Sequence, residues 1–295
     1  MKSLHVRALS LAVAFVLLAL LPASPALQQA HAMDAFRELS CATSSYSPFV
    51  LDPVADSVIG GAALTFAGIG LYRNKKADLP EWYERTYDKK DINSFDRMWY
   101  NKYSNSLDDA GTITCGVDLI FLPVLLFGLE TGIGNLPAKE LVTIGTMYAE
   151  SFLLSYGLRN IIKTTVKRPR PYMYTSKWET DELDSHDFEM SFLSGHSADA
   201  FMGAGFVTYV FSQYFPDSQF KWPIIGGAYA FAVATGILRI ASGNHFMTDV
   251  FAGAAFGTAI GYGIPLIHQK LSEIKYNGRQ VLNVTPNGLY AEFAF

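Results

Sequence analysis

Charge is scarce in this sequence: only 17% of its 295 residues are Asp, Glu, Lys or Arg, against about 25% in soluble domains. The net charge of −4 leaves no basic footprint, which argues against a nucleic-acid partner. Cysteine is scarcer still. Cys41 and Cys115 are the only two, with neither the spacing nor the neighbours of a metal site. An exported chain could pair them, and two free thiols fit as well. Alternating β-branched runs, internal repeats and low-complexity tracts are also missing, which excludes a sheet-built core and a solenoid. What the chain has in quantity is apolar length. Half its residues are hydrophobic and the mean hydropathy is +0.16.

That apolar content is distributed in blocks. Residues 1–32 have the design of a secretory signal peptide: Lys2 and Arg7 precede an apolar run from Leu9 to Leu21, and Ala30-His31-Ala32 offers a cleavage site. An uncleaved anchor is the other reading, and both put residue 33 outside the cytoplasm. Six apolar stretches follow, at Val54–Tyr72, Ile113–Leu129, Leu141–Ile162, His196–Phe215, Trp222–Ile240 and His245–Ile267. Most have the length of a bilayer-crossing helix and carry the small residues of closely packed membrane helices. The expected fold is all-α, a six-helix bundle embedded in the membrane over residues 33–280, with a soluble bundle as its rival. Asp118, Glu150 and Asp199 fit the membrane reading only if they point inward. Arg73–Asp109 is too aromatic for a disordered linker and should form an ordered loop with short helices. In the tail, 281–295, Pro286-Asn287-Gly288 marks a turn between two short strands, a C-terminal β-hairpin.

Three polar clusters interrupt the apolar blocks. Lys163-Thr-Thr-Val-Lys-Arg-Pro-Arg170-Pro171 puts four cations at a helix end. They form either an interfacial collar or a phosphate clamp, in which guanidinium forks give bidentate bonds. Ser194-Gly195-His196 leads into the fourth apolar stretch. It reads as an ordinary helix cap or as an anion site at a helix N-terminus. Arg239-x5-His245-x3-Asp249 places a histidine and a carboxylate at i and i+4. If both lie on a helix, the carboxylate can fix the imidazole tautomer and free the other nitrogen to attack. Up-and-down connectivity brings all three clusters to one end of a bundle. Converging cations, histidines and helix N-termini suit a phosphate.

The ordered set Lys163-x6-Arg170-Pro171, Ser194-Gly195-His196 and Arg239-x5-His245-x3-Asp249 resembles the signature of the type 2 phosphatidic acid phosphatase (PAP2) superfamily, over roughly Leu141 to Ile267. Leu193 and Leu238 stand where the family usually has Pro and Ser. The resemblance implies that His245 is the nucleophile of a phosphohistidine intermediate and that Asp249 supports it. It makes His196 the general acid and then the base. Lys163, Arg170 and Arg239 would hold the phosphate with help from Ser194 and Gly195. No metal or cofactor is called for. The implied substrate is a lipid phosphate monoester or pyrophosphate, met at the membrane among its lipids. The alternatives are a soluble periplasmic acid phosphatase on small phosphate esters, a vanadium-dependent haloperoxidase and an inactive lipid-binding member. The expected location is the cell envelope, with the site facing the periplasm. By parity that requires one stretch not to cross, and Val54–Tyr72 is the candidate.

Overall fold

Inside a bilayer an apolar run can satisfy its backbone only as a helix, and each of the six apolar stretches after the leader lies mostly in one. The structure, a computed structural model, describes residues 47–76, 86–132, 135–175, 187–280, 282–285 and 288–291, with side chains described as far as Ile274. The leader and Cys41 lie outside the described residues. Helix α1 is Pro53–Lys75, started by Pro53 and by the Asp52 carboxylate, which accepts from the N–H groups of Val54 and Ala55 at 3.1 Å. A short α2, Ser94–Arg97, lies in the aromatic loop. Next comes a continuous rod, Asn105–Gly132, made of α3 (Asn105–Gly116), a π-helical turn (Val117–Phe121) and α4 (Leu122–Gly132). Then follow α5 (Ala138–Val166), α6 (Gly195–Tyr214), α7 (Lys221–Ala241) and α8 (Met247–Gln280). Two four-residue strands, β1 (Leu282–Thr285) and β2 (Gly288–Ala291), pair antiparallel with Leu282 opposite Ala291.

Close contacts fix the direction of each helix. Gly70 of α1 lies against Gly157 and Asn160 of α5, while Gly60 lies near Glu150, so these two helices run parallel. On α8, Gly253, Gly257 and Gly261 meet the backbone at Ser194, Ala198 and Met202 of α6, so this pair is parallel too. Spacing of four puts the three glycines on one face of α8, and the missing side chains let the backbones touch. A Cβ on Gly257 would sit 2.0 Å from the Ala198 carbonyl oxygen. Gly257→Ala should therefore push α6 and α8 apart and cost about 1–3 kcal/mol, read as a lower unfolding temperature in detergent. At the other seam, Thr235 of α7 donates to Thr114 of α3 at 2.9 Å, and Gly111 faces Leu238 and Arg239. One end of the bundle thus gathers the C-termini of α1, α5 and α7 and the N-termini of α3, α6 and α8.

Four described helices are long and apolar enough to cross a membrane: Pro53–Lys75, Asn105–Gly132, Lys221–Ala241 and Met247–Ile274. Val54–Tyr72, the stretch expected not to cross, lies in the first of them. Large apolar side chains stay exposed along all four, including Val58 at 66%, Ile120 at 63%, Ile237 at 60% and Phe251 at 59%. Asp118, Glu150 and Asp199 are buried inside the bundle, as the membrane reading required.

Candidate active site

The first cluster begins in the last turn of α5. Lys167 then takes a left-handed conformation, φ 47°, that ends the helix and turns the chain across the bundle end. Lys163 Nζ donates to the Met190 carbonyl at 2.9 Å. Arg170 is 4% exposed. Its guanidinium donates to Asn244 Oδ1 at 2.5 Å, to the Asp187 carbonyl at 2.9 Å and to the Asp187 carboxylate. Arg239, in the last turn of α7, is 2% exposed and pairs with the Asp108 carboxylate at the start of α3. Its Nε is buried and has no hydrogen-bond partner among the described residues. Each cation is therefore held in place by protein acceptors, and Arg239 keeps one donor for an incoming anion.

Ser194 caps α6. Its hydroxyl lies 2.9 Å from that of Ser197 and 3.4 Å from the Ser197 N–H, so it is turned into its own helix. Its N–H donates to the Asp249 carbonyl at 3.0 Å, tying the start of α6 to that of α8. A Cβ on Gly195 would fall 3.3 Å from the Arg159 guanidinium and 3.7 Å from the Lys163 side chain, so the bare glycine lets the cations come close to the helix N-terminus. Arg159 itself bonds the Gly195 carbonyl at 3.1 Å and pairs with Asp199. His196 Nε2 lies 3.3 Å from the Thr112 hydroxyl of α3.

The third cluster departs from its expected form. His245 is not on a helix. It sits in the turn between α7 and α8, where Gly243 has φ +75° and a Cβ would be 2.6 Å from Lys102. Its Nδ1 lies 2.7 Å from the Ser191 carbonyl oxygen and 3.9 Å from the Asp249 carboxylate. The backbone carbonyl therefore assigns the proton to Nδ1 and leaves the lone pair on Nε2. Asp249 is engaged elsewhere, because it is the third residue of α8 and reaches back to the Phe246 N–H at 2.9 Å, as a capping-box carboxylate does. It also accepts from Ser191 Oγ at 2.5 Å and pairs with Arg168. Arg168 continues to Asp96 at 2.7 Å, and Asp96 accepts from the Thr248 N–H at 3.0 Å and the Thr248 hydroxyl at 2.6 Å. Asp249 thus supports His245 by fixing the turn around it.

Burial, then the charges of Arg170, Lys163, Arg239 and His196, hold His245 well below its usual value. Burial, then Arg239, Lys163 and Arg170, push His196 down to about 2. These shared influences put both imidazoles and all three cations in one electrostatic neighbourhood, with both rings neutral. A phosphate dianion entering it would offset the cations and make a proton on His196 affordable.

Thr112, Asp108, Asp96, Asp187, Ser191 and Asn244 complete the neighbourhood, and sequence reasoning missed them. The aromatic loop covers Asp96 and Asp108, the polar segment Lys163–Gly195 covers Asp187 and Ser191, and the turn after Arg239 covers Asn244, but the sequence alone assigns none of them a part.

Residues 145–273 match the family model described as PAP2 superfamily. Among solved structures, the crystal structure of a transmembrane PAP2 type phosphatidylglycerolphosphate phosphatase from Bacillus subtilis is similar at 24% identity and a TM-score of 0.33. The alignment covers 57% of this chain and 89% of that one. No curated protein matches the chain. All three clusters lie within the residues 145–273 that this family model matches.

Proposed function

We propose that the chain is a membrane phosphatase that cleaves phosphate monoesters or pyrophosphates of lipids at the gathered end of the bundle. The observation that carries this reading is the set of three buried or half-buried cations and two neutral imidazoles at one end, beside two helix N-termini. Phosphoryl transfer asks mainly for positioning and charge neutralisation, and this neighbourhood offers both. In the proposed reaction His245 Nε2 attacks phosphorus and the bond to the leaving oxygen breaks. His196 gives that oxygen a proton. His196 then takes a proton from water as the water attacks, and the phosphorus–nitrogen bond breaks to release phosphate. Lys163, Arg170 and Arg239 hold the nonbridging oxygens. The Gly195 N–H lies at the helix terminus where a further oxygen would bind, and Ser194 holds that terminus in place.

The lipid part of the proposal rests on the four apolar helices and their exposed faces. A water-soluble bundle would cover such surface, which disfavours the soluble acid phosphatase and haloperoxidase readings.

His196→Ala tests the acid–base role. Turnover of a lipid phosphate should drop about 10²–10⁴-fold. With p-nitrophenyl phosphate, whose leaving group needs no proton, phosphoenzyme should accumulate because the second step lacks its base. A His196→Ala enzyme with normal turnover on both substrates refutes the role.

We retain the periplasmic face as the proposed location of the site, with the N-terminus exported. In a protein carrying Lys90→Cys and lacking Cys41, position 90 should react with an impermeant maleimide added to intact cells. Protection until the membrane is opened would reverse the assignment and make α1 a crossing helix; Cys115 is buried and should stay silent.

A further inference from the structure

Met247 starts α8 at the candidate active site, and His268 lies 21 residues further on, about 30 Å along the helix. There the His268 imidazole is fully buried between two carboxylates from other helices. Nε2 lies 2.8 Å from Glu150 Oε2 of α5. Nδ1 lies 3.6 Å from Asp56 Oδ1, in the first turn of α1, and 3.4 Å from the Val50 carbonyl oxygen. Asp56 Oδ1 is itself buried and has no hydrogen-bond partner among the described residues. The charges acting most strongly on Asp56 are His268, Glu150 and Asp52, which leaves an excess of negative charge around one ring. Glu150 is buried and Asp56 half-buried, so two carboxylates share one imidazole as their nearest partner, and gathering negative charge in this way is costly. One nitrogen and two oxygens, one from each residue, lie within 4.8 Å of one another. Tetrahedral ligands held at about 2.1 Å from a zinc-class ion lie about 3.4 Å apart, so side-chain shifts of up to about 1.4 Å close the set. Gly60, one turn beyond Asp56, leaves room: its absent Cβ would be 3.6 Å from Glu150 Oε1.

We propose that Asp56, Glu150 and His268 form a divalent-metal site of the zinc class, which ties α1 to α5 and α8 at the end of the bundle opposite the phosphate cluster. One imidazole and two carboxylates suit a first-row divalent ion and balance its charge, and the Val50 carbonyl stands near as a further oxygen. The ion would clamp α1, which otherwise packs mainly on α5, and would take no part in phosphate chemistry.

The test uses the full-length protein in detergent, stripped with a chelator and titrated with Zn²⁺, followed by calorimetry and thermal unfolding. One equivalent should bind per chain and raise the unfolding temperature. Asp56→Asn and His268→Gln should each weaken binding more than about tenfold and remove the rise. A His196→Ala/His245→Ala protein should keep both, which separates this site from the histidines of the phosphate cluster. If His268→Gln fails to fold, the partly exposed Asp56→Asn carries the comparison. No saturable uptake, uptake indifferent to Asp56→Asn, or uptake lost in the double variant would each overturn the proposal.

Discussion

His245→Ala is expected to abolish phosphate release, with kcat falling about 10⁴–10⁶-fold, the range for removing a nucleophile that acts with its proton-transfer partner. The expectation depends on geometry particular to this turn. Nδ1 is committed to the Ser191 carbonyl at 2.7 Å, and burial among cations keeps the ring neutral, so Nε2 is a lone-pair donor at neutral pH. Rapid quench with radiolabelled substrate should trap an acid-labile phosphoenzyme in the unaltered protein and none in the variant. The ring is 1% exposed, so the variant should also lose several degrees of thermal stability while remaining folded. Wild-type turnover in a folded His245→Ala protein would dispose of the mechanism.

Arg168→Met should be the most destabilising single change at this end of the bundle, costing about 3–5 kcal/mol. Arg168 bridges Asp249 and Asp96, whose side chains are both fully buried. Methionine fills much of the volume but leaves two carboxylates facing each other without their cation. Denaturant melts read the cost, and a cycle with Asp96→Asn should recover a large part of it. Stability should also respond to acid. Despite burial, the Thr248, Arg168 and Asn93 hydrogen bonds hold Asp96 below its ordinary 3.8. A depressed carboxylate contributes fully above its unfolded value and loses that contribution as pH falls through the folded one. Acid unfolding driven by Asp96 therefore belongs below about pH 4, and Arg168→Met should move it upward. An Arg168→Met protein as stable as the parent would show that the bridge carries no net weight.

The sequence exposes some of this arrangement and hides the rest for identifiable reasons. Helices were legible because apolar runs of about 20 residues have few other fates, and α1, α5, α6 and α7 begin and end close to their apolar stretches. Lys163, Arg170, His196, Arg239 and His245 were legible because their order and spacing are unusual. The counter-charges were not. Asp96, Asp108 and Asp187 are acids in polar segments that hold other acids too, and nothing in their neighbourhood distinguishes a buried partner of an arginine from a solvated one. The His245–Asp249 pairing shows the limit of spacing arguments. The interval of four does bring the two side chains to 3.9 Å, but not into a direct hydrogen bond, because His245 is not helical. Here α8 starts two residues after His245, and its first turn claims the carboxylate.

The clamp on Arg239 has a consequence for how little of the chain could work alone. Asp108, Thr112 and Asp96 all precede residue 145, so a fragment cut to the family-matching region would retain every cation of the proposed phosphate cluster and lose the Asp108 partner of Arg239, one of the two carboxylates on Arg168 and the Thr112 contact of His196. Such a fragment would leave the buried Arg239 guanidinium without its carboxylate. The stretch from Asp96 to Thr112, which belongs to none of the three clusters, therefore makes those clusters mutually tolerable.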